Sequence, residues 1–126
     1  MPEFKKHYTR EEARQLLPLV RQWLEELTRV RNLLRQYEES LAKSLGLGDD
    51  LGGEVVNKQV KCLAEAKQIL LRFQKREIQV KDLDRGLIDF PAFIGSKEVF
   101  LCWENGEEDI EFWHDLESGY AGRERL

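Results

Sequence analysis

The fold is decided by residues 10–44, REEARQLLPLVRQWLEELTRVRNLLRQYEESLAKS, where apolar side chains recur in alternating steps of three and four. The recurring positions are Ala13, Leu16, Val20, Trp23, Leu27, Val30, Leu34, Tyr37 and Leu41. This spacing keeps one helix face apolar for about four heptads. We therefore predict a single long helix over 10–44, ~52 Å in length.

The start of this helix is marked by Thr9-Arg10-Glu11-Glu12, which has the pattern of a capping box. Pro18 lacks a backbone donor, so we expect either a kink there or a short helix that breaks into a long one. The apolar stripe is broadened by flanking leucines at Leu17, Leu19, Leu24 and Leu33. A stripe of this width favours packing in a bundle or against several neighbours over a two-stranded coiled coil.

A second helix is predicted over 58–77, after a glycine-rich connector at 45–56 and with Asn57 as its N-cap. One apolar face of this helix is formed by Cys62, Ala66, Ile69 and Phe73. It is ~30 Å long, so an antiparallel hairpin leaves about a third of the first helix without a partner. That part needs either the C-terminal module or another subunit.

Beyond residue 77 the apolar period changes to two, which is typical of strands. The alternating segments are 87–94, 99–104 and 110–115. Turn residues separate them at Gly95-Ser96 and at 105–107. We predict an antiparallel sheet of three strands, or of four with a strand over 78–83. Pro91 cannot donate to a ladder, so we expect its strand to be an edge or bulged there.

The predicted fold class is α+β: a long kinked helix and a second helix form an antiparallel hairpin, and a small three- to four-stranded antiparallel sheet follows. The hairpin takes 1–77. The β module takes 78–126 and ends in a tail that either docks or frays. A chain of 126 residues suits one domain, so we expect the two parts to pack together.

Charge and cysteine content narrow the class of function. The net charge of −4 disfavours nucleic-acid binding, which needs a basic surface. The mildly basic helices leave a nucleic-acid accessory protein as a third hypothesis. Cys62 and Cys102 have no cysteine partner nearby, so they are expected to be reduced thiols. With no secretory signal and no long apolar run, we expect a cytoplasmic protein that does not enter a membrane.

Five segments of the sequence resemble the motifs of a known family. They are Tyr8-Thr9 with the helix start to Val20, Asp82 to Ala92, Leu101-Cys102-Trp103, Phe112 to Asp115, and Gly119 to Arg123. They resemble domain-of-unknown-function family 2203 over nearly the whole chain. The resemblance implies a small cytoplasmic bacterial protein. It brings no activity, cofactor or catalytic residue with it, so the cofactor stays unknown.

Candidate site residues gather in the C-terminal half. They are Asp89, Trp103, Trp113, His114, Asp115 and Arg123. His114 changes charge near neutral pH. Strand parity places it at the core margin, where we expect its ring nitrogens to meet a backbone group or a carboxylate. Trp113, between two acidic residues, either binds a cation or packs against a helix.

Asp89 lies on an apolar strand and needs a partner if it is buried. Arg85, Arg123 or Arg125 could supply a bidentate one, and a clamp that ties the tail to the sheet is the preferred interpretation. A substrate-binding arginine is the alternative. The sequence has no phosphate loop, dinucleotide fingerprint, zinc-protease or serine-hydrolase motif, so we assign no catalytic residue and no metal ligand.

Two functions from different classes follow. The first is a non-enzymatic interaction or scaffold protein that self-associates through its helices, with a homodimer favoured and a further protein partner open. The alternative is a small-ligand or metal-binding protein, or an enzyme, with its site near Asp89, Trp103, His114 and Arg123.

Overall fold

The two helices are those expected from the sequence, with different ends. The computed structural model describes residues 1–46 and 52–126, and it contains helices α1 (Arg10–Gly46) and α2 (Gly52–Lys75). Residues 47–51 of the predicted connector lie outside the described residues. The last part of the connector is helical, so the prediction that α2 begins at 58 was wrong and Asn57 is not a cap. The half-buried face of α2 extends back to Val55.

The start of α1 has the predicted capping box. The Thr9 hydroxyl accepts the Glu12 N–H at 3.1 Å, and the Glu12 carboxylate accepts the Thr9 N–H at 3.0 Å. Hydrogen bonds from the Thr9 backbone and hydroxyl lower the pKa of Glu12 below its ordinary value. The helix is continuous through the exposed Pro18, so it does not break into two helices there.

The end of α2 is closed by Glu77, which has a left-handed backbone with φ of 56°. The N–H groups of Glu77 and Ile78 donate to the carbonyls of Gln74 and Phe73 at 3.0 and 3.1 Å. This pair of bonds is the Schellman pattern, in which glycine is the usual left-handed residue. Because Ile78 and Phe73 are both buried, their contact seals the helix end.

One five-stranded antiparallel sheet follows the helices, which confirms the α+β class. Its strands are β1 (Gln79–Asp82), β2 (Leu87–Ile94), β3 (Lys97–Glu104), β4 (Phe112–Asp115) and β5 (Glu124–Arg125), in the order β1-β2-β3-β4-β5. There is one strand more than predicted. The additional strand, β5, is a two-residue piece of the tail that pairs with β4, and it is too short to give an alternating pattern.

An N-terminal arm, residues 1–9, lies against the sheet. Pairing of β1 with β2 ends at Asp89, so β2 is an edge at Pro91, as predicted, and the Pro91 carbonyl accepts the Tyr8 N–H at 2.7 Å. The Glu98 carboxylate accepts the N–H groups of Glu3 and Phe4 at 2.7 and 3.1 Å. The arm therefore continues the hydrogen bonding of the sheet where the ladder stops.

The chain divides into two compact units. The sheet unit comprises residues 1–24 and 72–126, and the hairpin unit comprises residues 25–71. In the sheet unit, the rings of Trp23 and Phe73 pack edge to face at a centroid distance of 5.0 Å. The packing of the predicted hairpin and β module as one domain stays a prediction.

The hairpin unit has an antiparallel register, since an ion pair joins Arg29 to Glu65 on opposite sides of the connection. Its apolar core includes the buried side chains of Leu27, Val30, Cys62 and Ile69. Over the residues that the structure describes, no helix is long and apolar enough to cross a bilayer.

Candidate functional site

The β2–β3 hairpin brings two chemically active side chains face to face. Ile94 pairs with Lys97 across the Gly95-Ser96 turn, and this register continues without a shift to the pair Asp89 and Cys102. Directly opposite residues of an antiparallel pair lie on the same face of a sheet. Asp89 and Cys102 are therefore neighbours on one face, and both are fully buried.

His114 reaches the same face from β4. It pairs with Phe100, two residues from Cys102, so the three strands place three side chains together. The His114 Nε2 atom lies 3.0 Å from Asp89 Oδ2, and His114 Nδ1 lies 2.6 Å from the Asp115 carbonyl. The ring thus meets a carboxylate and a backbone carbonyl, as predicted. We call Asp89, Cys102 and His114 the buried polar cluster.

The protonation of His114 follows from its two partners. A carbonyl oxygen only accepts, so the Nδ1–H of His114 donates to the Asp115 carbonyl, and in the charged ring the Nε2–H donates to the Asp89 carboxyl group. Burial alone lowers the pKa of His114, but hydrogen bonds to Asp89, to Cys102 and to the Asp115 carbonyl outweigh it and raise the pKa to about 10. The charged form of the ring is therefore favoured at neutral pH.

Arg123 from the tail completes the surroundings of Cys102. Burial lowers its pKa, but hydrogen bonds to Glu107 and to the Cys102 sulfur raise it above the ordinary value. The guanidinium carbon also lies 3.9 Å from the ring centre of Phe112 and 4.2 Å from that of Tyr120. The tail is therefore docked, and it brings a fixed positive charge to the sulfur.

The prediction that an arginine pairs with Asp89 was wrong. Asp89 pairs with His114, and the arginine clamp is instead Arg123 on Glu107, with nitrogen–oxygen distances of 2.9 and 3.2 Å. Sequence reasoning could not find this pairing, because Glu107 lies in an acidic turn that looked like ordinary solvated surface. The observed clamp ties the tail to the connection between β3 and β4, since Glu107 lies between these two strands.

The other predicted site residues point elsewhere. Trp103 pairs with Ile88 and Trp113 with Leu101, so both lie on the face opposite the cluster. Trp103 is fully buried, and its indole N–H donates to the Glu107 carbonyl at 2.9 Å. The Asp115 carboxylate pairs with Lys97 at 2.6 Å, and only its carbonyl reaches His114. The structure thus groups Asp89, His114 and Arg123 and excludes both tryptophans.

The buried polar cluster has the residue types of a catalytic Cys–His–Asp triad, but a substrate in solvent has no access to it. Each ring nitrogen of His114 already has an acceptor, and Cys102 is fully buried, so a substrate in solvent meets neither a base nor a nucleophile. One atom from each of the three residues lies within 4.8 Å of the others, which is a spacing suited to a shared ion. The arrangement can hold a cation.

Sequence reasoning set Cys102 aside as an ordinary thiol, yet its position was readable. The two-residue turn at Gly95-Ser96 fixes the register of the hairpin. Asp89 lies six residues before this turn and Cys102 six residues after it, so they must pair. The position of His114 was not readable, because the longer connection between β3 and β4 fixes no register.

A second candidate site is an apolar stripe on α2. Val56, Val60, Leu63 and Leu70 are 44–58% exposed, and their steps of four, three and seven place them on one side of the helix. We call these four residues the α2 stripe. A different side of the same helix, with Cys62, Ile69 and Phe73, is buried.

The fold and these two sites define an α+β protein with a two-helix hairpin, a five-stranded antiparallel sheet and a buried Asp–Cys–His cluster. The chain belongs to the family of an uncharacterized conserved protein, DUF2203, whose model matches residues 6–126. No curated protein and no solved structure gives a significant match to the chain.

Proposed function

We propose that this chain is a cytoplasmic interaction protein that forms a homodimer through the α2 stripe. The observation that carries the proposal is the exposure of four large aliphatic side chains on one side of α2, where Lys67 takes the place between Leu63 and Leu70. Single exposed apolar residues are common on protein surfaces, but a group of them on one side of a helix, rimmed by polar residues, is typical of an interaction site.

The architecture of the hairpin unit also favours a partner. A layer of two helices has a single internal interface, and a unit of this size buries a modest core. Toward the end of α1, Leu34, Tyr37 and Leu41 are only half-buried. About 20 residues of each helix give a face of ~30 by ~20 Å, or ~600 Å². This approaches the ~800 Å² per partner of a standard interface.

A second copy fits the stripe better than an unrelated helix because the spacing is self-complementary. In an antiparallel pair of α2 helices centred on Leu63, Val56 faces the partner subunit's Leu70, and Val60 is level with the partner subunit's Ala66, next to the partner subunit's Lys67. The aliphatic part of lysine can cover a valine while its ammonium stays in water. Two hairpins joined in this way make a four-helix bundle.

The bacterial cytoplasm is the proposed compartment. Cys62 and Cys102 are both buried and unbridged. Free buried thiols are stable where the thiol pool is reduced, and disulfides are rare there. The α2 stripe then serves assembly inside the cell, with a further protein partner as an addition to the dimer.

The test is the oligomeric state of matched variants, measured by light scattering on a sizing column over a range of concentrations. We expect a dimer for the wild type and a monomer for Leu63→Glu, because the dimer would bury two carboxylates, one from each copy, at the centre of the interface. The control is Ile94→Glu, which changes an exposed aliphatic residue in the sheet unit and should stay dimeric. A wild type that is monomeric throughout, or a Leu63→Glu variant that stays dimeric, would refute the proposal.

A further inference from the structure

We infer that Asp89, Cys102 and His114 form a binding site for one transition-metal ion of the zinc(II) class, enclosed in the sheet. The site is independent of the proposed dimer, since its residues belong to the sheet unit. Three observations carry the inference: the convergence of three ligand types, the charge that they present, and the groups that orient them.

The convergence comes from three neighbouring strands, which hold backbone positions firmly. One atom from each of the three side chains lies within 4.8 Å of the other two. The ligand atoms around a tetrahedral zinc ion are ~3.3–3.8 Å apart. The three atoms, which lie up to 4.8 Å apart, would move closer together around the ion, and a fourth ligand would have to reach the buried cluster.

The charges of the three ligands suit a divalent ion. Zinc binds carboxylate, thiolate and neutral imidazole, so its binding releases protons from the ligands. A Zn²⁺ ion with one carboxylate and one thiolate is a neutral centre, which is the form that a buried site tolerates.

The surroundings orient the ligands as they would around a metal. Histidine ligands of metals commonly donate their other ring N–H to a carbonyl or carboxylate, as His114 Nδ1 does to the Asp115 carbonyl at 2.6 Å. The guanidinium of Arg123 lies over Phe112, which pairs with Cys102 between β3 and β4, so a fixed positive charge lies near the sulfur, where a cation stabilises a thiolate.

An unpartnered oxygen of Asp89 is a further observation that points to a ligand. Its Oδ1 atom is buried and accepts no hydrogen bond from the described residues, although buried carboxylate oxygens normally have donors. A cation bound by this carboxylate would satisfy that oxygen.

The ligand types select the metal. A thiolate with an imidazole favours zinc, copper or iron over calcium and magnesium, which prefer sets of oxygen ligands. We therefore expect Zn²⁺ to bind the metal-free protein at one ion per chain, and Mg²⁺ at the same concentration to leave it empty.

The test uses full-length protein stripped with a chelator and then titrated with Zn²⁺ or Co²⁺ alone. Calorimetry should give one zinc per chain, and a comparison of buffers of different ionisation enthalpy should show that the ligands release protons. Cobalt should produce a near-ultraviolet thiolate charge-transfer band. The chain has two cysteines, so Cys62→Ser should keep the band and Cys102→Ser should lose it. Arg123→Lys should weaken zinc binding by about tenfold.

These outcomes test the metal site even if the Cys102→Ser variant does not fold. A band in the wild type that persists in Cys62→Ser assigns the sulfur to Cys102, because no other cysteine is present. Absence of stoichiometric zinc binding by the wild type overturns the site. So does loss of the band in Cys62→Ser, or a cobalt complex without a thiolate band.

Discussion

Arg123 and Glu107 form a two-pronged ion pair that anchors the tail, with nitrogen–oxygen distances of 2.9 and 3.2 Å. Both side chains are largely shielded from solvent, and the guanidinium also stacks on Phe112. We predict that Arg123→Lys lowers the free energy of unfolding by ~1–3 kcal/mol, because an ammonium group cannot make the same fork. Urea unfolding measures this change.

The control for that prediction is Arg125→Lys. Arg125 also approaches Phe112, at 5.0 Å, but it is exposed. Its substitution should change stability by less than ~0.5 kcal/mol. Equal effects at the two positions would show that the ion pair with Glu107 contributes nothing specific.

The Asp89–His114 pair should behave as one energetic unit in metal-free protein. Asp89→Asn removes one partner of a buried pair, and we expect a loss of ~3–5 kcal/mol in unfolding free energy. The double variant with His114→Gln should be less damaging than the two single losses combined, by ~1–3 kcal/mol. Chemical denaturation of the four proteins measures the coupling. Additive losses would mean that the two side chains do not support each other.

The hold of Glu98 on the N-terminal arm should depend on pH. Burial raises the pKa of this carboxyl, but hydrogen bonds from the Glu3 and Phe4 N–H groups and from His7 outweigh it and hold the pKa below the ordinary 4.5. A lowered pKa gives stability that is present above 4.5 and is lost as the pH falls through the folded value. The stability difference between wild type and Glu98→Gln should therefore be constant above pH 4.5 and shrink below it. A difference that grows in acid would contradict this.

Two turn glycines with the same backbone conformation should respond differently to alanine. Gly86 and Gly95 have φ of 65° and 62°, but a Cβ at Gly86 would lie 2.5 Å from the Asn105 Cβ, whereas one at Gly95 meets no atom within 4 Å. We predict a loss of ~1 kcal/mol for Gly95→Ala from backbone strain alone. Gly86→Ala should lose ~2–4 kcal/mol, since the steric clash adds to that strain. Thermal unfolding of both variants measures the contrast.

Most of the fold could be predicted because it depends on local periodicity. The apolar steps of three and four specified α1, and the alternation after residue 77 specified β2 and β3. The start of α2 could not be predicted, because Gly52-Gly53 has the composition of a loop although it forms the first two residues of α2. The strand β5 was missed for a similar reason, since it depends on pairing with β4 and not on a pattern of its own.

The candidate site was only partly predictable. His114 and Asp89 stood out as polar residues on apolar strands, and their partners follow from burial. Their contact with each other depends on the register between β3 and β4, which no turn motif specifies. The exclusion of Trp103 and Trp113 from this face follows from strand parity, but the expectation of a single site had grouped Trp103 with His114.

The sheet unit is discontinuous, with residues 25–71 inserted between its two parts, and this has a consequence for synthesis of the chain. At ~5–20 residues per second, about 3–11 s separate the completion of residue 71 from that of residue 126. During this interval the first 24 residues have no sheet to join, while the hairpin is already complete in sequence. The helices, with the α2 stripe, are therefore the first part of the nascent chain able to fold, and the arm and tail are secured last.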